Sequence, residues 1–184
     1  MKYIDLLEAK TTTIYHGDDY GTKKLEPKLM MQDSGNSQEG VGIYFGDLET
    51  AETYGKNIVT AEINPKNFVD SRASWDEVLK VSDLAKLLKG LWKTDEETMY
   101  YMLTDWIEIM EPEDIEEYNL DDMAENMRTG EVRNIQIELA QQFGVESLVS
   151  LWNKILPKVH GTYQNQERDV WYAVINTKIK VKPV

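Results

Sequence analysis

Two short stretches in the first third of the chain contain residue types that could form one binding site. The first reads TIYHG and contains His16 and Gly17, and the second reads GVGIYFGDLETAETYG and contains Tyr44 and Tyr54, ten residues apart. An imidazole can hydrogen-bond a hydroxyl group, a glycine allows close approach to the backbone, and tyrosine faces stack on planar rings. Each residue alone is more often part of a core, but their order and spacing together favour a site.

Several other kinds of site are excluded or disfavoured. The chain has no cysteine, which removes disulfides, thiolate metal ligands and a cysteine nucleophile. Its two histidines, His16 and His160, are too few for a histidine-based zinc site. There is no phosphate-binding Walker loop, dinucleotide-type glycine fingerprint or nucleophile elbow. We therefore expect no metal.

Composition indicates one acidic domain. The chain has 184 residues, 41% of them hydrophobic, which is enough for one good core. Its net charge is −13, and the segment from Leu91 to Met127 contains thirteen acids against one base, Lys93. Such a charge disfavours stable nucleic-acid binding and fits either solubility or a basic partner surface. With no export signal and no run of ~20 apolar residues, we expect a cytoplasmic protein without a membrane segment.

The elements that would position the two stretches are strands and one short helix. TTTIYHG and GIYF are typical of strands, and DLETAETYG predicts a helix that begins after Asp47 and ends at Gly55. The following NIVTAEINPKNFVD alternates in polarity as a strand does and stops at Pro65.

From Ser74 to about Val159 the pattern becomes helical. Ser74 with Glu77, and Thr94 with Glu97, have capping-box spacing, and a later helix should end at Gly144. Pro112 suits the first turn of another helix. One helical stripe has the composition of a packing face and consists of Met99, Met102, Leu103, Trp106, Ile107 and Met110. RDVWYAVINTKIKVKPV then returns to strand. We predict a single domain, 1–184, with a helical insertion over 74–159.

The two stretches and the strand after them resemble the ADP-ribosyltransferase superfamily in its His-Tyr-Glu branch. That branch contains diphtheria-type toxins, the poly-ADP-ribose polymerases and small bacterial and phage transferases. IYHG resembles its first-strand motif, and GVGIYFGDLETAETYG its second. The resemblance implies an α+β fold with a split β-sheet core, into which the acidic helices are inserted, and NAD as the substrate of an NAD-dependent ADP-ribosyltransferase.

The resemblance also implies a role for each residue. His16 would bind the adenosine ribose, the Gly17 backbone would bind the nicotinamide carboxamide, and Tyr44 and Tyr54 would enclose the nicotinamide ring. His16 and Tyr44 would thereby take part in catalysis. Two further residues of the second stretch, Phe45 and Ala51, would line the cofactor-binding site. Ala51 stands where polymerase-type members have a serine, which predicts looser nicotinamide binding.

The third element of the family is a Glu, sometimes Asp or Gln, at or just before a late strand. The stretch TYQNQERDVWYAV offers Glu167 as first choice and Asp169 as second, beside Gln164 and Gln166. Alignment on WYAV puts Val170 where polymerase-type members have their Glu. Without that Glu, chain elongation is disfavoured and mono-ADP-ribosylation of a protein is the expected activity.

The acidic helices would recognise a protein target with a basic docking surface. The opening MKYIDLLEA and the compact size resemble small phage-encoded members, so an effector acting on host machinery in the host cytoplasm is one interpretation. Two alternatives stay open. One is a non-catalytic acidic protein that keeps the fold and occludes a basic partner site, and the other is a nucleic-acid-directed transferase, which the net charge disfavours.

Overall fold

The computed structural model describes residues 11–31, 40–106, 119–166 and 169–184. Within these ranges the chain has an α+β fold. The strands are β1 (Thr12–Asp18), β2 (Ile43–Phe45), β3 (Asn57–Ile63), β4 (Phe68–Asp70), β5 (Gly161–Gln166), β6 (Asp169–Val174) and β7 (Lys182–Pro183). The helices are α1 (Leu48–Tyr54), α2 (Trp75–Val78), α3 (Val81–Trp92), α4 (Glu96–Trp106), α5 (Asn119–Met127), α6 (Val132–Phe143) and α7 (Val145–Ile155).

The strands form two sheets that meet at one point. Sheet A has the order β1-β3-β7, and sheet B has the order β2-β6-β5-β4, in which only the β4–β5 pair is parallel. A single antiparallel bridge joins Tyr15 of β1 to Gly46, the residue after β2. Its two N–H···O distances are 3.0 and 2.9 Å. The bridge places the two sequence stretches side by side.

The predicted ends of the helix after β2 and the predicted alternation along β3 are confirmed. Asp47 caps α1, its side-chain oxygen accepting a hydrogen bond from the Thr50 N–H at 2.7 Å, and Gly55 follows the last helical residue. In β3, Val59, Ala61 and Ile63 are buried. Asn64 then accepts from the Lys66 N–H, and a 3-10 turn at Pro65–Asn67 ends the strand segment.

The helices α2 to α7 lie between β4 and β5 in the chain. The Ser74–Glu77 capping box is confirmed, but the one predicted at Thr94 is wrong. Asp95 accepts from the Thr98 N–H at 3.0 Å and begins α4, while the Thr94 hydroxyl donates to the Leu91 carbonyl of the preceding helix. The Asp95 carboxylate satisfies a free N–H in the first turn of α4. The Thr94 hydroxyl instead satisfies a free carbonyl in the last turn of α3.

The buried apolar side chains of both sheets and of the helices form one continuous cluster. Trp75 and Trp152 pack edge to face with ring centroids 5.9 Å apart, and both are fully buried. Met99, Met102 and Leu103 of the predicted stripe are also buried. Ile107, Met110 and Pro112 lie outside the described residues. None of the described helices has the length and apolar character needed to cross a bilayer.

Helix α1 packs closely on β1 at Gly17. A Cβ at Gly17 would lie 1.9 Å from the Ala51 carbonyl oxygen, well inside van der Waals contact. The atom in the way belongs to the helix backbone, so only a movement of α1 could relieve the contact. The glycine therefore sets how closely the helix can approach the strand.

Replacement of Gly17 by alanine tests this contact. We expect Gly17→Ala to lower the free energy of unfolding by about 2 kcal/mol, the range typical of overpacking, as measured by urea denaturation. Gly46→Ala is the matched control, since a Cβ there meets its nearest neighbour at 3.6 Å, and its cost should stay within about 0.5 kcal/mol. Equal costs for the two variants would contradict the close approach.

Candidate functional site

His16 holds the two strands together where their ladder stops. The next pair after the Tyr15–Gly46 bridge would join Gly17 to Tyr44, but no second bridge forms. The Tyr44 carbonyl instead accepts a hydrogen bond from His16 Nδ1 at 2.8 Å. A side chain thus takes the acceptor that the backbone ladder would have used. The strands remain adjacent here without pairing, and we call this interruption of the ladder the gap.

The backbone of Gly17 is directed into this gap. Alternate residues of an antiparallel strand present their N–H and C=O groups to opposite edges, and those of Tyr15 point to Gly46. The N–H and C=O of Gly17 therefore point to the same edge, towards Tyr44. Helix α1 covers this residue from one face, and Gly17 is buried. We use the term candidate site for the region bounded by Gly17, Tyr44 and α1.

The second ring nitrogen of His16 contacts Asp18. Nε2 lies 3.2 Å from the Asp18 carboxylate, and the imidazole side chain is 20% exposed. The Tyr44 carbonyl and the Asp18 carboxylate are both acceptors, so each ring nitrogen of His16 faces an acceptor.

Asp18 in turn organises the turn that follows β1. Its carboxylate accepts hydrogen bonds from the backbone N–H groups of Tyr20, Gly21 and Thr22, at distances from 2.7 to 3.4 Å. Burial alone would raise the pKa of the Asp18 carboxyl, but hydrogen bonds from the Thr22 side chain and these N–H groups outweigh it, and the net effect lowers the pKa. The ionised form is therefore the one that the fold stabilises.

Aromatic side chains share one face of sheet B next to the gap. Residues paired across a ladder share a face, so the register Tyr44↔Ala173 puts Tyr44 and Trp171 on the same side. Tyr54 of α1 meets Trp171 edge to face, with ring centroids 5.9 Å apart, and is 64% exposed. The Tyr44 hydroxyl donates to the Gly40 carbonyl at 2.5 Å, which fixes its ring. The exposed ring of Tyr54 is the part of this aromatic surface that a planar ligand could contact.

The remaining residues of the second stretch are buried. Phe45 has no exposed surface and packs against the His16 ring, with centroids 5.5 Å apart, and Ala51 is 4% exposed. Both side chains therefore pack in the hydrophobic core. His160 lies elsewhere, beside Asn67 and Phe68, and burial lowers its pKa.

The candidates for the third element are distributed along the β5–β6 hairpin. Glu167 and the Gln166 side chain lie outside the described residues, although the Gln166 backbone pairs with that of Asp169. The Asp169 side chain lies close to that of Asp47 at the start of α1. Hydrogen bonds from Thr50 lower the pKa of Asp47 most, and the Asp169 side chain lowers it further. Asp169 is thus close to the helix of the second stretch, on the same side of the hairpin as Trp171.

Gln164 takes a different position on the same hairpin. It pairs with Trp171 across the ladder, shares the face of Tyr44 and is 1% exposed. Its amide is therefore buried in sheet B, on the face that carries Tyr44 and Trp171. Among the described residues, no group of three or more His, Asp or Glu side chains could hold a metal ion.

Sequence reasoning missed two residues of the candidate site. Asp18 follows the His-Gly step directly, and a carboxylate two residues from a histidine in a strand shares its face, which could have been noticed. For Trp171 the sequence predicts only a strand, and no local pattern indicates that Tyr54 packs on it. That contact depends on the pairing of β2 with β6.

The chain matches no protein-family model. It likewise matches no curated protein. Among solved structures, the crystal structure of an anti-CRISPR protein aligns with 96% of this chain and 97% of its own, at 11% identity and a TM-score of 0.37. A likeness at that level is too low to establish a shared fold, and we draw no functional argument from it.

The Asp18 network predicts a pH-dependent cost for Asp18→Asn. At pH 7 the substitution should lower the free energy of unfolding by about 1–3 kcal/mol, because it removes a charged acceptor from several hydrogen bonds. The folded-state pKa is depressed, so this stabilisation is present above the ordinary value of 3.8 and is lost as pH falls through the depressed value. Urea unfolding at pH 7 and at successively lower pH measures both effects.

The control is Asp19→Asn, because Asp19 is exposed and makes one contact, to the Lys56 N–H at 3.3 Å. Its cost should be small at every pH. A cost for Asp18→Asn that does not change between pH 7 and pH 2 would show that the charge of Asp18 does not stabilise the fold.

Proposed function

We propose that the chain is an NAD-dependent mono-ADP-ribosyltransferase that modifies a protein. The observation that carries the proposal is the gap beside Gly17, where His16 replaces a ladder hydrogen bond and the glycine's N–H and C=O point towards Tyr44. These two backbone groups are complementary to a carboxamide, which has one acceptor and two donors. Within the described residues the strands divide into two sheets that an isolated bridge joins at Tyr15 and Gly46, and this division supports an ADP-ribosyltransferase-like core.

The residues around the gap fit the other parts of NAD. The Tyr54 face is accessible and could cover the nicotinamide ring, with Tyr44 on its other side. His16 Nε2 could donate to a ribose hydroxyl in place of Asp18, since its N–H already points to an acceptor at 3.2 Å. Gly17 is buried, so the proposal requires the gap to widen when NAD enters.

The reaction needs stabilisation of positive charge at the ribose. The glycosidic bond between the ribose C1′ and the nicotinamide nitrogen breaks, and its electron pair leaves with the nicotinamide. The acceptor side chain of the target then forms a new bond to C1′ and loses a proton. A carboxylate or amide near the ribose stabilises the cationic transition state. Glu167 is the first candidate for that role, Asp169 the second, and Gln164 and Gln166 follow.

Tyr54 provides the sharpest test of NAD binding, since it is exposed and its loss should not affect folding. We expect isothermal titration calorimetry to detect NAD binding by the wild-type chain. Tyr54→Ala should weaken it by about tenfold, the upper range of one aromatic stacking contact. Tyr101→Ala is the control, because Tyr101 is similarly exposed, at 59%, but lies on α4. No binding at millimolar NAD would contradict the proposal.

Transfer is tested with labelled NAD and a cell lysate. The wild-type chain should label a protein with ADP-ribose, and Glu167→Gln should reduce labelling by at least about a hundredfold, as expected when transition-state charge loses its stabilisation. Asp169→Asn, which leaves the side chain the same size, is the comparison. If Asp169→Asn abolishes labelling and Glu167→Gln does not, the assignment moves to Asp169. NAD binding with no labelled product would favour the non-catalytic alternative.

A further inference from the structure

A second concave surface lies on the opposite side of sheet A from the candidate site. It is a groove of about 690 Å³ between the loop before the Pro27–Leu29 turn, helix α7 and the C-terminal segment that ends in β7. β7 pairs with β3, and β3 pairs with β1, so the groove edge is two strands away from His16. No residue that lines the groove belongs to the candidate site.

The groove is basic, although the chain as a whole is acidic. Lysines from two segments line it, Lys23 and Lys24 on one side and Lys178, Lys180 and Lys182 on the other. All five are exposed, and within the part of the chain that the structure describes none of them forms a salt bridge. Two acids, Glu26 and Glu146, also line the groove. Glu26 is paired with Lys28 at 2.8 Å and is also attracted by Lys24, and the five lysines outnumber the two acids.

Alternation along the C-terminal segment produces this arrangement. Lys178, Lys180 and Lys182 are exposed, while Ile179 and Val181 between them pack on the core. Lys178 lies in a turn and Lys182 lies in β7, so the segment places three ammonium groups along this side of the groove.

The walls of the groove contain apolar surface and one unused acceptor. Leu25 and Val149 are buried core residues whose side chains line it. Asn153 of α7 donates through Nδ2 to the carbonyls of Val149 and Ile175, at 2.7 and 3.3 Å. Its Oδ1 is buried and has no hydrogen-bond partner among the described residues. A buried acceptor without a donor is costly, and a ligand with an N–H or O–H group could satisfy this oxygen once the Asn153 side chain turns towards the groove.

We infer that this groove binds a nucleoside phosphate. Its lysines would hold the phosphates, since Lys is a common point-charge partner of phosphate. The apolar walls would contact the base, and Asn153 Oδ1 would accept from an amino or hydroxyl group. The volume falls in the range of small-ligand sites, about 300–1,000 Å³. A nucleic-acid polymer fits less well, because the chain as a whole carries a net charge of −13.

Calorimetry with ATP in EDTA tests this inference. The wild-type chain should bind ATP, adenosine should not bind detectably, and pyrophosphate should bind more weakly than ATP. The triple variant Lys178→Gln, Lys180→Gln, Lys182→Gln should bind ATP at least about tenfold more weakly, as expected when several charged hydrogen bonds are lost. Ser150→Trp, an exposed α7 position that lines the groove, should also weaken binding while every lysine is kept.

A triple variant with the same change of charge elsewhere provides the control. Lys66, Lys93 and Lys158 are exposed and do not line the groove, so their replacement by Gln should leave ATP affinity unchanged. An equal loss in this control would show only diffuse attraction and overturn the inference. So would an absence of ATP binding, pyrophosphate binding as tight as ATP, or ATP binding that is lost in Tyr54→Ala and kept in the groove variants.

Discussion

The hydrogen bond from His16 to the Tyr44 carbonyl determines how the two sheets meet. If the backbone ladder continued past Tyr15 and Gly46, Gly17 would pair with Tyr44 and the two sheets would join as one surface. The imidazole takes the carbonyl instead, and the carboxylate of Asp18 holds the imidazole from its other nitrogen. A side-chain contact thus keeps the two strands adjacent and unpaired beyond Tyr15.

The same region of the fold also determines where helix α1 lies. After Gly46 the chain turns into α1, whose capping by Asp47 fixes its first turn. The helix then returns over β1 so closely that only glycine fits at position 17. The fold itself therefore explains the glycine, independently of any ligand. Tyr54, at the end of the same helix, meets Trp171 of sheet B, so α1 connects the two sheets on the side away from β7.

Charge is divided between opposite sides of sheet A. In the candidate site His16 Nε2 lies 3.2 Å from the Asp18 carboxylate, in a partly buried setting where salt screens charge weakly. The groove at β7 presents several exposed ammonium groups that have no salt-bridge partner among the described residues. A substrate of the candidate site would be recognised mainly by shape and hydrogen bonds. A ligand of the groove would be recognised first through charge, and its affinity should therefore fall with ionic strength.

Much of the local structure could be predicted from the sequence, because it depends on neighbouring residues. The caps at Asp47 and Ser74 and the alternation in β3 are of this kind. Choosing between Thr94 and Asp95 as a cap required knowing that the Thr94 hydroxyl already bonds to Leu91. The contacts of the His16 ring also could not be predicted, because one of them is made to the Tyr44 carbonyl, 28 residues away. The contact between Tyr54 and Trp171 could not be predicted either, and nor could the lysine groove. Both depend on pairing between strands that lie far apart in the sequence.

The two histidines allow one direct measurement of the central claim, that the His16 edge of the gap binds NAD. Their imidazole resonances can be followed separately by nuclear magnetic resonance, because His160 lies beside Asn67 and Phe68, away from the gap. Titration with NAD should shift the His16 ring resonances, as Nε2 exchanges Asp18 for a ribose hydroxyl, and should leave those of His160 unchanged. Unchanged His16 resonances at millimolar NAD, or a shift of His160 alone, would contradict this account.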